Sequence, residues 1–267
     1  MDLGLTEKCA LLIGAGRGLG GAAAISLARE HARVALVART REDVEARARE
    51  CLAAGAADAI GIAADATDPA QLDAAIEGAA SRFGGIDVLV TLVGGSQPGG
   101  TAELSQSDWQ AAYERNLWPA VRASRSALPY LAQSALRRGF PGKPREASVI
   151  LHVASIWGRE GGGALSYNTA KAALIALAHE QARELAPRGV RVLSLAPGSI
   201  LHAGGSWERR QKEDPAAIAA FVKREIPFGR FGTAEEVGDT IAFLVSTRAS
   251  WIAGACVVVD GAQSRSF

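Results

Sequence analysis

The chain has 267 residues, of which 48% are hydrophobic, so it is long enough to bury a sizeable core in one large α/β domain or two small ones. Its 29 basic residues nearly balance its 28 acidic residues, which predicts neither a nucleic-acid nor a membrane partner. Cys9, Cys51 and Cys256 have no zinc-ligand spacing and are expected to be reduced thiols. No signal pattern precedes the first apolar run, and we expect a cytoplasmic protein.

Short, continuous apolar runs alternate with longer helical patterns along the chain. Strands are predicted at residues 9–13, 34–38, 59–63, 88–93, 148–153, 190–195 and 255–259. Helices are predicted at residues 19–30, 41–54, 70–83, 107–135, 165–186 and 234–245. Runs without polar alternation are typical of parallel strands that are covered on both faces. The pattern therefore predicts an α/β protein with a doubly wound, seven-stranded parallel sheet, formed by residues 1–267 as one domain.

The first predicted strand runs directly into a glycine cluster, and a helix begins within it. The cluster reads Gly14-Ala15-Gly16-Arg17-Gly18-Leu19-Gly20. Glycines allow a tight turn and a close approach of the backbone to a pyrophosphate, which the helix N-terminus then faces with its partial positive charge. This position indicates a dinucleotide site, although a tight turn without any ligand uses the same residues.

The end of the second predicted strand indicates which dinucleotide is bound. Enzymes that use NAD usually have an acidic residue here, whereas this chain has Arg39 and Thr40, with Arg17 in the glycine cluster. An acidic residue would repel a 2′-phosphate, and guanidinium groups bind one. We therefore predict NADP(H) as the cofactor, with NAD(H) less favoured. The alternative is that Arg39 and Arg41 only form a solvated helix start.

Tyr167 and Lys171 are four residues apart in a helical pattern, which places their Cβ atoms about 5–6 Å apart on one face. At that distance a positive charge favours the phenolate by roughly 3 kcal/mol, or about two pK units. A tyrosine shifted in this way can pass a proton near neutral pH. The same spacing also occurs by chance on amphipathic helices, so the surrounding motifs decide its meaning.

Those motifs form a set with Asn116 and Ser155, and the set resembles the short-chain dehydrogenase/reductase family in its single-domain form, including the 3-oxoacyl-carrier-protein reductases. The resemblance covers nearly the whole chain. It continues through Asp65-Ala66-Thr67, Pro197-Gly198-Ser199-Ile200 and Val259-Asp260-Gly261. It implies a three-layer Rossmann fold, a nicotinamide cofactor and a homotetramer or homodimer.

The resemblance also implies a role for each site residue. Ser155 would hydrogen-bond the substrate oxygen, Tyr167 would act as general acid/base, and Lys171 would lower the pKa of the tyrosine. Asn116 would hold a water that joins Lys171 to solvent. The implied cofactor contacts are Gly14, Gly16, Arg17, Gly18, Leu19, Gly20, Arg39, Thr40, Asp65, Ala66, Val93, Gly94, Tyr167, Lys171, Pro197, Gly198 and Ile200, and no metal is expected.

Some positions depart from the family pattern. Thr91-Leu92-Val93-Gly94 stands where members commonly have Asn-Asn-Ala-Gly, so the hydrogen bonds of those asparagine side chains must be replaced. Ile13 replaces a threonine before the glycine cluster, and His202 stands where a threonine often meets the nicotinamide amide. His152, within the fifth predicted strand, is expected to be a buried and hydrogen-bonded histidine.

Residues 201–228 are expected to form a lid over a small-molecule substrate. They include Trp207, the basic residues Arg209, Arg210 and Lys212, and a helix predicted at residues 215–224. The basic residues suit an anionic substrate such as an acyl-carrier protein. They equally suit the solvated face of a short helix whose acidic residues balance them.

The sequence thus predicts an NADPH-dependent oxidoreductase that interconverts a ketone and a secondary alcohol by hydride transfer. One alternative is an NADP-binding regulator or scaffold protein that has lost catalysis, against which the complete set of four site residues argues. A second alternative is an epimerase or dehydratase. It is disfavoured because such chains usually carry a larger C-terminal substrate region than residues 201–228 supply.

Overall fold

The computed structural model describes residues 2–266, without the side chain of Pro144. Its strands are β1 (Cys9–Ile13), β2 (Arg33–Ala38), β3 (Asp58–Ala63), β4 (Val88–Thr91), β5 (Ser148–Val153), β6 (Val190–Pro197), β7 (Ile200–Leu201), β8 (Gly232–Thr233) and β9 (Cys256–Val259). Its helices are α1 (Gly18–Arg29), α2 (Arg41–Ala53), α3 (Pro69–Phe83), α4 (Gln106–Asn116), α5 (Trp118–Arg138), α6 (Leu165–Leu185), α7 (Ser206–Glu213), α8 (Pro215–Glu225) and α9 (Ala234–Val245). Short 3-10 helices lie at Pro144–Glu146, Ile156–Gly158, Ala186–Arg188 and Thr247–Ala249.

The main sheet has seven parallel strands in the order β3-β2-β1-β4-β5-β6-β9. In its centre, Leu12 of β1 pairs with Leu36 of β2 on one side and with Val90 of β4 on the other. The strand order reverses between β1 and β4, and such a reversal leaves a crevice at the carboxyl ends of the strands. The predicted doubly wound sheet of the Rossmann type is confirmed.

Helices cover both faces of the sheet, so the fold has three layers. Successive residues of a strand point to opposite faces, which places Leu12 in one core and Leu11 in the other. Side chains from α1, α2 and α9 complete the first core, and side chains from α3, α5 and α6 complete the second. Burial on both faces explains why the strands appear in the sequence as unbroken apolar runs.

The predicted continuous helix over residues 107–135 is wrong, because the structure divides it into α4 and α5 at Leu117. Leu117 has φ −122° and ψ −53°, outside the helical range. Pro119 lies in the first turn of α5, where its missing N–H donor costs nothing. The other predicted strands and main helices are present, with ends that differ by no more than two residues.

Residues 201–228 contain α7 and α8, which pack around a small core of their own. The Trp207 ring stacks on Phe221 with centroids 4.6 Å apart and lies 5.1 Å from the ring of Phe231. Ile218 and Ile226 fill the same cluster. Across the part of the chain that the structure describes, no helix is long and apolar enough to span a membrane.

Candidate active site

The glycine cluster lies at the carboxyl end of β1, where the crevice opens. Gly14 has φ +94°, in the left-handed region that favours glycine, and turns the chain away from the strand. A Cβ at Gly20 would collide with the Gly14 carbonyl, so only glycine lets α1 lie this close to the turn. The first N–H groups of α1, which begins at Gly18, have no partner within the helix and suit phosphate oxygens.

Arg17 and Arg39 each have an acidic neighbour beside this turn. The Arg17 Nε atom lies 2.7 Å from Oδ2 of Asp43, in the first turn of α2. Hydrogen bonds from Thr67 lower the pKa of Asp65, and the positive charge of Arg39 contributes to the same decrease. The ion pair between Arg17 and Asp43 was not predicted from the sequence.

Ser155 follows β5 and begins the short helix Ile156–Gly158. Its Oγ atom accepts a hydrogen bond from the backbone N–H of Trp157 at 3.2 Å. A Cβ at Gly158 would lie 2.7 Å from the Lys171 backbone carbon, so a glycine there allows α6 to pack closely. The Ser155 loop and the start of α6 are thereby brought into contact.

Tyr167 and Lys171 lie one turn apart near the start of α6, as predicted. The Lys171 Nζ atom is 5.7 Å from the centroid of the Tyr167 ring. The same atom donates hydrogen bonds to the carbonyls of Val153, at 3.1 Å, and Val93, at 3.3 Å. These carbonyls, at the end of β5 and just beyond β4, fix the ammonium below the crevice.

Burial determines the acid–base behaviour of this pair. It lowers the pKa of the Lys171 ammonium to about 8. It also raises the pKa of the Tyr167 phenol, and a hydrogen bond with the Ser155 side chain opposes part of that increase. The protein alone therefore does not show the lowered tyrosine pKa expected from the spacing, because the surroundings disfavour the charged phenolate.

Asn116, the last residue of α4, holds the loop that follows β4. Its Oδ1 atom accepts a hydrogen bond from the Gly95 N–H at 2.9 Å, and its Nδ2 atom donates to the Gly95 carbonyl at 3.0 Å. A Cβ at Gly94 would lie 2.8 Å from Asn116 Oδ1 and 3.0 Å from Lys171 Nζ. Only a glycine at position 94 leaves room for both side chains.

Thr91, the first residue of the segment that departs from the family pattern, takes part in a chain of three hydrogen-bonded side chains. The Thr91 Oγ1 atom lies 2.7 Å from Nδ1 of His152, its partner in the sheet. His152 Nε2 lies 3.0 Å from Oε1 of Gln181 on α6. Burial lowers the pKa of His152 to about 4, so the imidazole is neutral. The prediction of a buried, hydrogen-bonded His152 is confirmed, whereas Gln181 was not predicted.

His202 lies directly over the glycine cluster. A Cβ at Gly18 would be 2.8 Å from the His202 Cε1 atom, and Gly18 has φ +53°. His202 Nδ1 is 3.1 Å from the Ala203 carbonyl. The imidazole that replaces the usual threonine thus closes one side of the crevice.

The last described residues join two walls of the crevice. Buried Gln263 accepts a hydrogen bond from the Ser199 N–H at 2.7 Å and donates one to the Ser199 hydroxyl at 2.9 Å. The backbone N–H groups of Arg265 and Ser266 both donate to Oε2 of Glu160 at 2.8 Å. No sequence pattern indicated that this segment fixes both the loop after β6 and the loop before α6.

The crevice has a volume of about 1370 Å³. Most of the predicted site residues line it: Gly14, Arg17, Gly18, Leu19, Gly20, Gly94, Ser155, Tyr167, Lys171, Pro197, Gly198 and Ile200. The remaining predicted residues lie outside its lining: Gly16, Arg39, Thr40, Asp65, Ala66, Val93 and Asn116. Residues 2–266 contain no cluster of three or more histidine, cysteine or carboxylate side chains placed to hold a metal ion.

Comparison with known proteins assigns the chain to a family. A family model described as Enoyl-(Acyl carrier protein) reductase matches residues 14–262. The 3-oxoacyl-[acyl-carrier-protein] reductase FabG of Escherichia coli (strain K12) is 31% identical over 255 residues, which cover 95% of this chain and 96% of that protein. FabG of Staphylococcus aureus (strain Mu50 / ATCC 700699) is 30% identical over 260 residues, which cover 95% and 97%. The chain belongs to the short-chain dehydrogenase/reductase family of oxidoreductases.

Solved structures agree with this assignment. The L-sorbose reductase from Gluconobacter frateurii, in complex with NADPH and L-sorbose, has a TM-score of 0.89 and 28% identity over 100% of both chains. A short-chain type dehydrogenase/reductase from Mycobacterium marinum has a TM-score of 0.84 and 26% identity, and covers 99% of this chain and 98% of its own.

Proposed function

We propose that the chain is an NADPH-dependent oxidoreductase that interconverts a ketone and a secondary alcohol. The observation that carries this proposal is the meeting of Ser155, Tyr167 and Lys171 in the crevice that begins at the glycine cluster. We further propose that residues 1–267 form a single domain. The support is that one continuous sheet runs from β3 to β9.

The residues of the crevice fit a nicotinamide dinucleotide. The free N–H groups at the start of α1 suit its pyrophosphate, and Arg17 and Arg39 suit a 2′-phosphate. Lys171 would hold the nicotinamide ribose. The ring itself would lie against Pro197, Gly198 and Ile200, and the adenine near Asp65 and Ala66. The complex of the sorbose reductase with NADPH agrees with the cofactor that Arg17 and Arg39 favour.

The side chains can carry out the proton chemistry of ketone reduction. A bound nicotinamide supplies the hydride that the carbonyl carbon receives. The Tyr167 hydroxyl donates its proton to the carbonyl oxygen, and the Ser155 hydroxyl donates a hydrogen bond to the same oxygen. The raised pKa keeps the phenol protonated at neutral pH, as an acid requires. The Lys171 ammonium then stabilises the phenolate that remains.

The test is a panel of ketones and secondary alcohols, followed at the NADPH absorbance band. We expect NADPH oxidation with ketones and NADP⁺ reduction with alcohols. A protein that binds NADPH but turns over no member of the panel would instead be the silent regulator or scaffold. An epimerase or dehydratase would convert its substrate without net formation of NADP⁺.

We also propose a cytoplasmic homotetramer or homodimer. A surface groove of about 660 Å³ runs along α4 and α5, with Trp109, Tyr113 and Trp118 in its walls. Trp251, in the loop before the edge strand β9, is 97% exposed. These aromatic surfaces support burial between copies. Light scattering of the purified protein measures the mass, and a monomer would contradict the proposal.

A further inference from the structure

Every charged side chain that lines the crevice is positive. These side chains are Arg17, Lys171, Arg209 and Arg210, and within the described residues no aspartate or glutamate joins them. Arg17 pairs with Asp43, and Lys171 donates to two backbone carbonyls. Two arginines of α7 therefore remain whose charge has no role in the proposed chemistry.

Neither arginine of α7 has a carboxylate partner among residues 2–266. Glu208, the residue before the two arginines, has other hydrogen-bond and ion-pair partners. Its Oε1 atom lies 3.1 Å from Nζ of Lys212, and its Oε2 atom accepts a backbone N–H at 2.8 Å. Asp214 accepts a hydrogen bond at 2.9 Å from the first turn of α8. Glu213, at the end of α7, forms no ion pair with either arginine among residues 2–266, so no acid of this segment neutralises the two guanidinium groups.

Arg210 rests on an aromatic platform. Its guanidinium carbon lies 5.1 Å from the centroid of the Trp207 ring, and Trp207 stacks on Phe221 at 4.6 Å. Stacking uses the face of a guanidinium group and leaves its N–H edge free. That edge forms paired hydrogen bonds with the oxygens of a carboxylate or phosphate. The contact with Trp207 holds the Arg210 side chain in the crevice wall, where its N–H donors can meet such a group.

We propose that Arg209 and Arg210 bind an anionic group at the far end of the ketone substrate, whose carbonyl lies on Ser155 and Tyr167. This inference rests on the proposed function and narrows its substrate class to oxo compounds with a carboxylate or phosphate. Trp157 and Leu165 in the crevice wall offer apolar surface to the carbon chain between the two ends.

Matched substrate pairs test the proposal. The first arm compares 3-oxobutanoate, 4-oxopentanoate, 5-oxohexanoate and 6-oxoheptanoate with their methyl esters. The second arm compares 3-oxobutanoyl-coenzyme A with the neutral N-acetylcysteamine thioester of the same acyl group. We expect at least one anionic member to exceed its neutral counterpart about tenfold or more in kcat/KM. The arm in which this occurs distinguishes a carboxylate from a phosphate.

Substitutions then locate the anion site. Arg209→Gln, Arg210→Gln and the double variant should remove the preference by raising KM for the anionic ketone about tenfold or more, with the neutral ketone unchanged. Lys223→Gln, at an exposed position of α8 outside the crevice lining, is the matched control and should keep the preference. Equal kcat/KM for every pair, or an unchanged preference in the double variant, would overturn the proposal.

Binding measurements separate this proposal from the proposed function. Calorimetry gives the Kd of the preferred oxo acid or thioester for the protein saturated with NADP⁺, and the Kd of NADPH itself. The double variant should weaken binding of the anionic compound and leave the NADPH Kd within about twofold. Weaker NADPH binding instead would assign the arginines to the cofactor. If no ketone is reduced but the anion binds through these arginines, only the proposed function fails.

Discussion

His152 is a buried imidazole whose neutrality the fold enforces. It has no exposed surface, it bonds Thr91 and Gln181, and the positive charge of Lys171 adds to the effect of burial on its pKa. A proton there would place a second positive charge near the lysine ammonium and remove the acceptor for Thr91. The imidazole therefore makes the fold sensitive to acid.

We predict that wild-type stability falls as the pH decreases from about 6.5 to about 4 because of this histidine. The unfolded chain binds the proton in that interval and the folded chain does not, since burial lowers the folded pKa from 6.5 to about 4. The difference amounts to about 3 kcal/mol at the acid end. Urea unfolding at pH 7.5 and 4.5 measures it. Between pH 7.5 and 4.5, His152→Asn should lose less stability than the wild-type protein. The exposed control His179→Asn should lose as much stability as wild type. A loss in His152→Asn equal to that of wild type or of His179→Asn would contradict the prediction.

Asp43 should weaken the preference for NADPH that we propose. Its carboxylate pairs with Arg17 and repels a 2′-phosphate that approaches the same guanidinium group. Asp43→Asn should therefore lower KM for NADPH about three- to tenfold and change KM for NADH by less than about twofold. Steady-state kinetics with both cofactors are the measurement, with Glu42→Gln in the same helical turn as control. An unchanged ratio of the two kcat/KM values would show that Asp43 has no such effect.

For individual residues, the sequence predicted contacts along a helix better than contacts between strands. Tyr167 and Lys171 were placed together because helical periodicity fixes residues four apart on one face. The bond between Thr91 and His152 depends on the register of β4 against β5, which no local pattern encodes. The pair of Arg17 and Asp43 likewise depends on how α1 and α2 are positioned by the sheet.

At the level of secondary-structure elements, the segment after β9 holds two walls of the crevice in place. Glu160 receives two backbone N–H groups from this segment, and Gln263 fixes Ser199 on the opposite side. Both loops border positions proposed to contact substrate or cofactor. The contacts therefore stabilise the shape of the crevice as well as the fold.

We expect Glu160→Ala to loosen this wall. The variant removes the acceptor of two charge-assisted hydrogen bonds, so KM for a ketone should rise about three- to tenfold while kcat stays within about twofold. Kinetics with a single ketone substrate provide the measurement. Glu180→Ala, at an exposed position farther along α6, should leave both constants unchanged. A decrease in kcat without a change in KM would exclude this positioning role.

Helix and strand positions followed from the sequence where burial imposes a simple pattern. The inner strands of the sheet are buried on both faces and the edge strands β3 and β9 are half-buried, so apolar runs marked all seven within two residues. The break at Leu117 was missed because the apolar periodicity continues across Pro119, and proline is tolerated in the first turn of a new helix. The segment after β9 makes contacts through backbone groups, which leave no pattern in the side chains.

Across the whole molecule, Asp87 joins three parts of the fold. It lies just before β4 and is 4% exposed. Arg138 of α5 donates to both of its oxygens, at 2.6 and 2.8 Å, and the Cys9 N–H of β1 donates at 2.8 Å. Burial acts to raise the pKa of this carboxyl, but the hydrogen bonds from Arg138 and Cys9 outweigh it and lower the pKa. The carboxylate thus contributes stability at neutral pH that is lost as the pH falls through this lowered pKa.

Asp87→Ala should destabilise the protein by about 3–5 kcal/mol, because it leaves the partly buried Arg138 without its counter-ion. Chemical unfolding at pH 7 gives the free energy of unfolding. Asp58→Ala removes a more exposed ion pair with Arg82 and should cost less than about 1 kcal/mol. Equal losses in the two variants would show that burial of the ion pair has no special importance.

The topology followed from the alternation of strands and helices, because short connections and parallel strands permit few arrangements. What the sequence left open is the arrangement of groups around the substrate. The positive charge of the crevice depends on the packing of α7 against its aromatic core beside β7. Helix α7 is far from Ser155 in the sequence, so no local pattern connects the two. Substrate class therefore depends on tertiary packing that local patterns do not determine.

We propose that the Tyr167 phenol transfers the proton to and from the substrate oxygen. Tyr167→Phe removes only the hydroxyl, so we predict a decrease of about 10²-fold or more in kcat for ketone reduction. The Kd of NADPH, measured by calorimetry on the same variant, should stay within about twofold of the wild-type value. Turnover equal to that of wild type in this variant would contradict the account.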